Sequence, residues 1–136
     1  MTIDRRQSLK VRADPQCLDA VLDLVRAVAA DAGVAEHDVI RLESAVMEVV
    51  DNVVKHGCTT GSSQLSVSVT ASGGWFRADV EDDGPSVPVT LDAVEMPPEM
   101  AESGRGLAMA THLLDEFTYE RRKRGNLWHL GVALGS

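Results

Sequence analysis

Residues Leu42 to Gly57 read LESAVMEVVDNVVKHG, and Leu42, Ala45, Val46, Val49, Val50, Val53 and Val54 recur there at steps of three and four. That is the period of an amphipathic helix with one face turned into a core. Glu48, Asn52 and His56 fall four apart on one line of the same helix. Residues so spaced are neighbours on a helix surface, so a carboxylate and a carboxamide come within reach of each other. Such a pair can hold a hydrated metal ion.

An isolated Glu/Asn pair on a helix is structural far more often than catalytic, but this one has company. VEDDGPSVP (Val80 to Pro88) supplies an acidic turn about 30 residues on, and SGRGLAMA (Ser103 to Ala110) a glycine-rich helix start about 50 residues on. The three segments are read together as one site. His56 stands near a helix C-terminus, where a partial positive charge is favoured, and is left out of the catalytic set. Arg41, Glu81 and Asp83 read as surface charges, and Met47 as a core filler by its spacing.

The chain has 136 residues and a net charge of -8 with a pI near 4.8. This length suits one domain with a real core, expected over 8–135 after an N-terminal tail 1–7. The acidic balance argues against direct nucleic-acid binding, which is carried by Lys and Arg clusters. The one basic run, Arg121 to Arg124, reads as a solvated turn. Cys17 and Cys58 lack metal-ligand spacing and read as reduced thiols, which fits a cytoplasmic address. No apolar run approaches the ~20 residues that cross a bilayer, so no membrane partner is expected.

In chain order, Gln7 to Ala13 alternates as an edge strand. Asp14 and Pro15 open a helix whose stripe is Leu18, Val21, Leu22, Val25, Val28 and Ala29, stopped by Gly33. The central helix opens at Glu36 to Asp38 and closes at Gly57. Gln64 to Ala71 and Trp75 to Glu81 form a hairpin turning at Gly73-Gly74, and the second strand delivers Asp82 at its end. Gly84 to about Ser103, with four prolines, reads as a long loop placed as a lid. Gly104 to Leu114 is expected to be helical. Phe117 to Arg122 and Leu127 to Leu134 form a last hairpin turning at Gly125-Asn126. This order implies an α+β two-layer sandwich: a mixed, mostly antiparallel sheet with helices on one face.

At this point the motifs resemble the Bergerat (GHKL-type) ATP-binding fold of gyrase, histidine-kinase and MutL-like proteins. The closest resemblance is to the anti-sigma-factor serine-protein kinases of bacteria. It covers nearly the whole chain and rests on Glu48, Asn52, His56 and Gly57, on Asp82 and Gly84, and on Gly104, Arg105, Gly106 and Leu107. It implies ATP and Mg²⁺ as cofactors. Asn52 would ligate the metal, Asp82 would accept the adenine amino group, and Gly84 would let the backbone approach the ring. The helix start at Gly104 to Leu107 would face the phosphates, with Arg105 adding charge. Glu48 would be the general base that activates a serine or threonine hydroxyl. The implied partners are an anti-anti-sigma antagonist, which is phosphorylated, and a sigma factor, which is sequestered. Homodimerisation through the N-terminal strand and first helix also fits the family.

The chain departs from the family pattern at two places. Ser86 stands where a second glycine is usual, and Gly125-Asn126 where Gly-Thr is common. These departures motivate an alternative, a non-catalytic nucleotide-responsive module that binds a partner. A third reading is a detached histidine-kinase catalytic domain.

Overall fold

The computed structural model describes residues 5–57, 64–84, 111–123 and 125–134. The second glycine segment at 104–107, Ser86, the lid expected from 85 to 103, and Cys58 lie outside the described residues. The elements run β1 (Arg5–Arg12), α1 (Cys17–Ala32), α2 (Glu36–Gly57), β2 (Gln64–Ser72), β3 (Trp75–Asp82), β4 (Glu116–Arg122) and β5 (Gly125–Ala133).

The five strands form one sheet in the order β1-β2-β3-β5-β4, and every pairing is antiparallel. The fold is the expected α+β sandwich, but no parallel pair is found among the described strands. Two tight hairpins set most of this pattern, because strands joined by a two-residue turn must run in opposite directions. Gly73 and Gly74, with φ of 59° and 82°, make the β2–β3 turn, a conformation that glycine reaches without a Cβ penalty. Strand β1 begins at Arg5 rather than Gln7, pairing Arg5 with Ala71 and Arg6 with Thr70. Residues 5–7 therefore belong to the sheet and not to a tail.

Strand side chains alternate between the two faces. Leu65, Val67, Val69 and Ala71 of β2, Phe76, Ala78 and Val80 of β3, and Trp128, Leu130 and Val132 of β5 point to one side and are buried. α1 covers that side over β1 and β2, while α2 covers it over β3 and β5. All seven apolar residues read as the α2 stripe are buried, and α1 buries Val21, Leu24, Val25, Val28 and Ala29. Met47 is the exception to the sequence reading: it is 38% exposed and stands outside the core. α1 starts at Cys17, with Asp14 Oδ1 accepting from Gln16 N at 2.9 Å, and ends at left-handed Gly33. Arg26 clamps the two helices by a fork onto Glu43, at 2.6 and 3.0 Å, and a third bond to Glu36.

Arg41 is not the surface charge its sequence context suggests. Its Nε donates to the Leu113 carbonyl at 2.9 Å and Nη2 reaches Asp115 at 3.2 Å. It thereby ties the start of α2 to the short helical turn at 111–113 that leads into β4.

Candidate nucleotide site

α2 packs against β3 and β5, and its last residue, Gly57, is six residues of chain from Gln64 at the sheet end where β2 starts. At that end Leu65 pairs with Asp82, and Asp82 pairs with Asn126. Asn52 lies five residues before Gly57, about 7.5 Å along the helix axis at the usual rise. The C-terminal half of α2, the last residue of β3 and the first residues of β5 therefore share one end of the molecule.

Asn52 is 4% exposed, and neither its Oδ1 nor its Nδ2 has a hydrogen-bond partner. Among the described residues the only other buried side-chain polar atom in that condition is Arg77 Nε. Burying an unpaired amide costs about 1–3 kcal/mol per group, so such a site favours a ligand that supplies the missing partners. A neutral oxygen from one side chain also fits Mg²⁺, which takes few protein ligands and completes its shell with waters and phosphate oxygens. Glu48, one turn earlier, is half-buried. Lys55, on the next turn but one, pairs with Asp51 at 3.0 Å.

Asp82 is 8% exposed and faces the helix side of the sheet. Its Oδ1 accepts from Gly84 N at 2.8 Å and from Asn126 Nδ2 at 2.9 Å, and its Oδ2 accepts from Trp128 Nε1 at 3.4 Å. Asp82 and Gly84 are thus directly joined. Asp83 anchors the same strand end by accepting from Gln64 N at 2.7 Å. Gly104, Arg105, Gly106 and Leu107 fall outside the described residues.

The network around Asp82 contains four residues that sequence reading did not assign to the site: Trp128, Asn126, Tyr119 and Arg121. Asn126 is 2% exposed and lies within β5, not in a turn. The register pairs Arg122 with Gly125, so the hairpin turns at 123–124, two residues earlier than expected. Tyr119 donates its hydroxyl to Asn126 Oδ1. Arg121, read as part of a solvated turn, donates from Nη1 to the Gly84 carbonyl at 2.8 Å. Gly125 makes the close approach: with φ of 142°, a Cβ there would stand 1.9 Å from the Asp82 carbonyl oxygen.

Comparison with known proteins agrees with this architecture. A family profile for the histidine kinase-like ATPase domain matches residues 11–130. No curated protein matches the sequence. Among solved structures, the chain is similar to the RsbU and RsbW domains of Rv1364c from Mycobacterium tuberculosis, with a TM-score of 0.69 and 24% identity. It is also similar to the histidine kinase domain of the blue-light activated histidine kinase of Erythrobacter litoralis EL346, with a TM-score of 0.57 and 21% identity. These matches cover 96% and 86% of this chain but 32% and 61% of the other chains, so the shared fold sits there within longer proteins. With 120 consecutive residues matched to one profile, from 11 to 130, the chain belongs to the histidine kinase-like ATPase domain family.

Proposed function

We propose that this chain binds ATP with Mg²⁺ and transfers the γ-phosphoryl group to a serine or threonine hydroxyl of a small anti-anti-sigma-type protein. In the same reading it sequesters a sigma factor in the cytoplasm, works as a homodimer, and changes partner according to the antagonist's phosphorylation. The observation that carries the proposal is the buried, unpartnered carboxamide of Asn52 one turn from Glu48. Family membership supports nucleotide binding at the level of the domain. Likeness to a chain whose name includes an RsbW domain supports the finer assignment.

In this mechanism Asp82 Oδ2 accepts from the exocyclic amine of adenine, while Gly84 keeps the backbone low beneath the ring. By the family resemblance, Gly104, Gly106 and Leu107 would offer backbone N–H groups to the phosphates, and Arg105 would add a fixed positive charge. Asn52 Oδ1 would hold Mg²⁺, which would offset the charge of the triphosphate. Glu48 takes the proton from the partner's hydroxyl as that oxygen bonds to the γ-phosphorus. The bond from the γ-phosphorus to its bridging oxygen breaks, and ADP leaves with the electron pair. Glu48 suits this task because it is half-buried and stands one turn from Asn52 on the same line of the helix.

Incubation with labelled ATP and the cognate antagonist tests this directly. Glu48→Gln is expected to lower transfer by roughly 10²-fold or more while leaving ATP affinity nearly unchanged. Label surviving in that variant would remove Glu48 as the base. Acid-labile phosphate on the partner would point instead to histidine transfer, and ATP binding without transfer to a non-catalytic module.

A further inference from the structure

Strand alternation puts Arg6, Ser8 and Lys10 of β1, Ser66 and Ser68 of β2, and Asp79 and Glu81 of β3 on the face of the sheet opposite the two helices. The register sets Lys10, Ser66 and Glu81 in one row across three strands, and Ser8, Ser68 and Asp79 in the next. β2 carries only short hydroxyl side chains at 66, 68 and 70, while the strands beside it carry bulkier charged ones. The result is a trough of about 520 Å³ that runs along β2, floored by serines and walled by β1 and β3. Its walls stand two strand spacings apart, about 10 Å.

The two walls differ in what neutralises them. Asp79 is held by His129, and Glu81 pairs with Arg122 at 3.4 Å. On the β1 wall Lys10 has no ion pair or hydrogen bond among the described residues, and Arg6 bonds only Ser68 Oγ, at 3.3 Å from Nε. Ser8 Oγ and Ser68 Oγ lie 3.4 Å apart. Two exposed cations without a carboxylate therefore overlook a floor of hydroxyls, in a molecule whose net charge is -8.

Arg6 and Lys10 are four residues apart on a strand, about 13 Å. In an extended segment lying along β1, every second residue repeats at about 6.7 Å, so three alternate residues stand beside Arg6, Ser8 and Lys10 in turn. A helix does not match, being about 10–12 Å across and rising only about 6 Å over four residues. Nucleic acid and anionic bilayers carry far more charge than two cations offset, and the net charge of -8 repels them. We infer that this trough is a docking site for an extended acidic segment of a partner protein. Carboxylates four residues apart bind Arg6 and Lys10, and a small or hydroxyl residue between them sits over Ser8. The assignment goes beyond the nucleotide reading and does not depend on it, because Asp82 faces the other side of the sheet.

A fluorescein-labelled peptide, Thr-Thr-Glu-Thr-Ser-Thr-Glu-Thr-Thr, titrated with the full chain at low ionic strength tests the assignment by fluorescence anisotropy. Saturable binding is expected. It should weaken at least ~10-fold in Arg6→Glu/Lys10→Glu, the scale of two exposed ion pairs turned repulsive, and several-fold in ~0.5 M salt. Ser66→Leu/Ser68→Leu fills the floor but keeps both cations, and should also weaken binding at least ~10-fold. An isomer of the peptide with its two glutamates adjacent has the same charge and reaches only one cation, so it should bind at least ~3-fold more weakly.

No binding at millimolar peptide overturns the assignment. Equal affinity for the two peptides, or full affinity in Ser66→Leu/Ser68→Leu, marks non-specific attraction to two cations and overturns it as well. A wild-type dimer that Arg6→Glu/Lys10→Glu dissociates, with no peptide bound, gives the face to a second copy of the chain, which is again against it. None of the four positions is in the core, so unchanged melting temperatures are expected. If the leucine pair does not fold, the comparison of the two peptides on the wild type decides alone.

Discussion

At Gly125 the backbone of β5 passes so close to Asp82 that even a methyl group does not fit: a Cβ would stand 1.9 Å from a carbonyl oxygen, and φ is 142°. Gly125→Ala is therefore expected to cost about 3 kcal/mol of stability, the range of clash and special-φ substitutions, and to weaken ATP binding more than tenfold. Thermal melts and nucleotide titration of that variant check both effects. Asn52 makes the opposite prediction. Its two buried polar atoms lack partners in the free protein, so Asn52→Leu is expected to leave the ligand-free fold as stable or to stabilise it by about 1 kcal/mol while abolishing Mg²⁺-dependent ATP binding. A ligand-free melting temperature that drops sharply would contradict it. Glu48, Asn52 and Asp82 could be singled out from the sequence as candidates because each stands in a short local pattern. Asn126 was not: its bond to Asp82 spans 44 residues and depends on strand register. Gly-Asn is itself a good hairpin turn, and the real turn lies two residues earlier, which places Asn126 inside a strand and turns it inward.

Among the elements, α2 was the most legible, and it was so against local propensity. Val46, Val49, Val50, Val53 and Val54 favour strands by side-chain type, yet their spacing of three and four aligns them on one buried stripe, and burial outweighs a propensity difference of under ~1 kcal/mol per residue. Leu42→Ala, at the start of that stripe and fully buried, is expected to cost about 2–5 kcal/mol in denaturant unfolding. The outer face of the sheet was less legible, because its contacts join β3, β4 and β5. There His129 hydrogen-bonds Asp79 through Nδ1 at 2.5 Å and Glu116 through Nε2 at 2.9 Å, while Arg77 holds Glu116 at 3.0 Å. Gly131 leaves room for this crossing, since a Cβ there would come within 3.2 Å of Glu116 Cβ. Burial disfavours the charged imidazole, but the bonds to Asp79 and Glu116 and their charges outweigh it and raise the His129 pKa. The bonds from Arg77 and then His129 hold the Glu116 carboxyl below its usual range. The His129 contribution is fully present below its unfolded pKa of about 6.5 and is lost as pH rises through the raised folded value. That of Glu116 is present above about pH 4.3 and is lost as pH falls through its lowered folded value. His129→Gln should therefore lower the melting temperature most between roughly pH 4.5 and 6.5, with the gap to wild type closing above neutrality. A gap that widens with rising pH would contradict this.

At the scale of the molecule, α1 and α2, the long helices among the described residues, cover one face of an antiparallel sheet, build a core at that side and bring the end of α2, the end of β3 and the start of β5 to one rim. The chain carries a net charge of -8, so an approaching triphosphate meets a repulsive overall field, and binding depends on local donors and a bound cation. Asn52 stands at the centre of that argument, as the buried side chain whose bonding is incomplete without a ligand. Calorimetric titration of ATP into the purified protein, with Mg²⁺ and with chelator, for wild type and Asn52→Ala, tests it most directly. The account predicts roughly micromolar binding that needs Mg²⁺ and is lost, by at least 3 kcal/mol or about 10²-fold, in Asn52→Ala. Absence of binding by the wild type at millimolar ATP, or equal affinity in the two proteins, would contradict it.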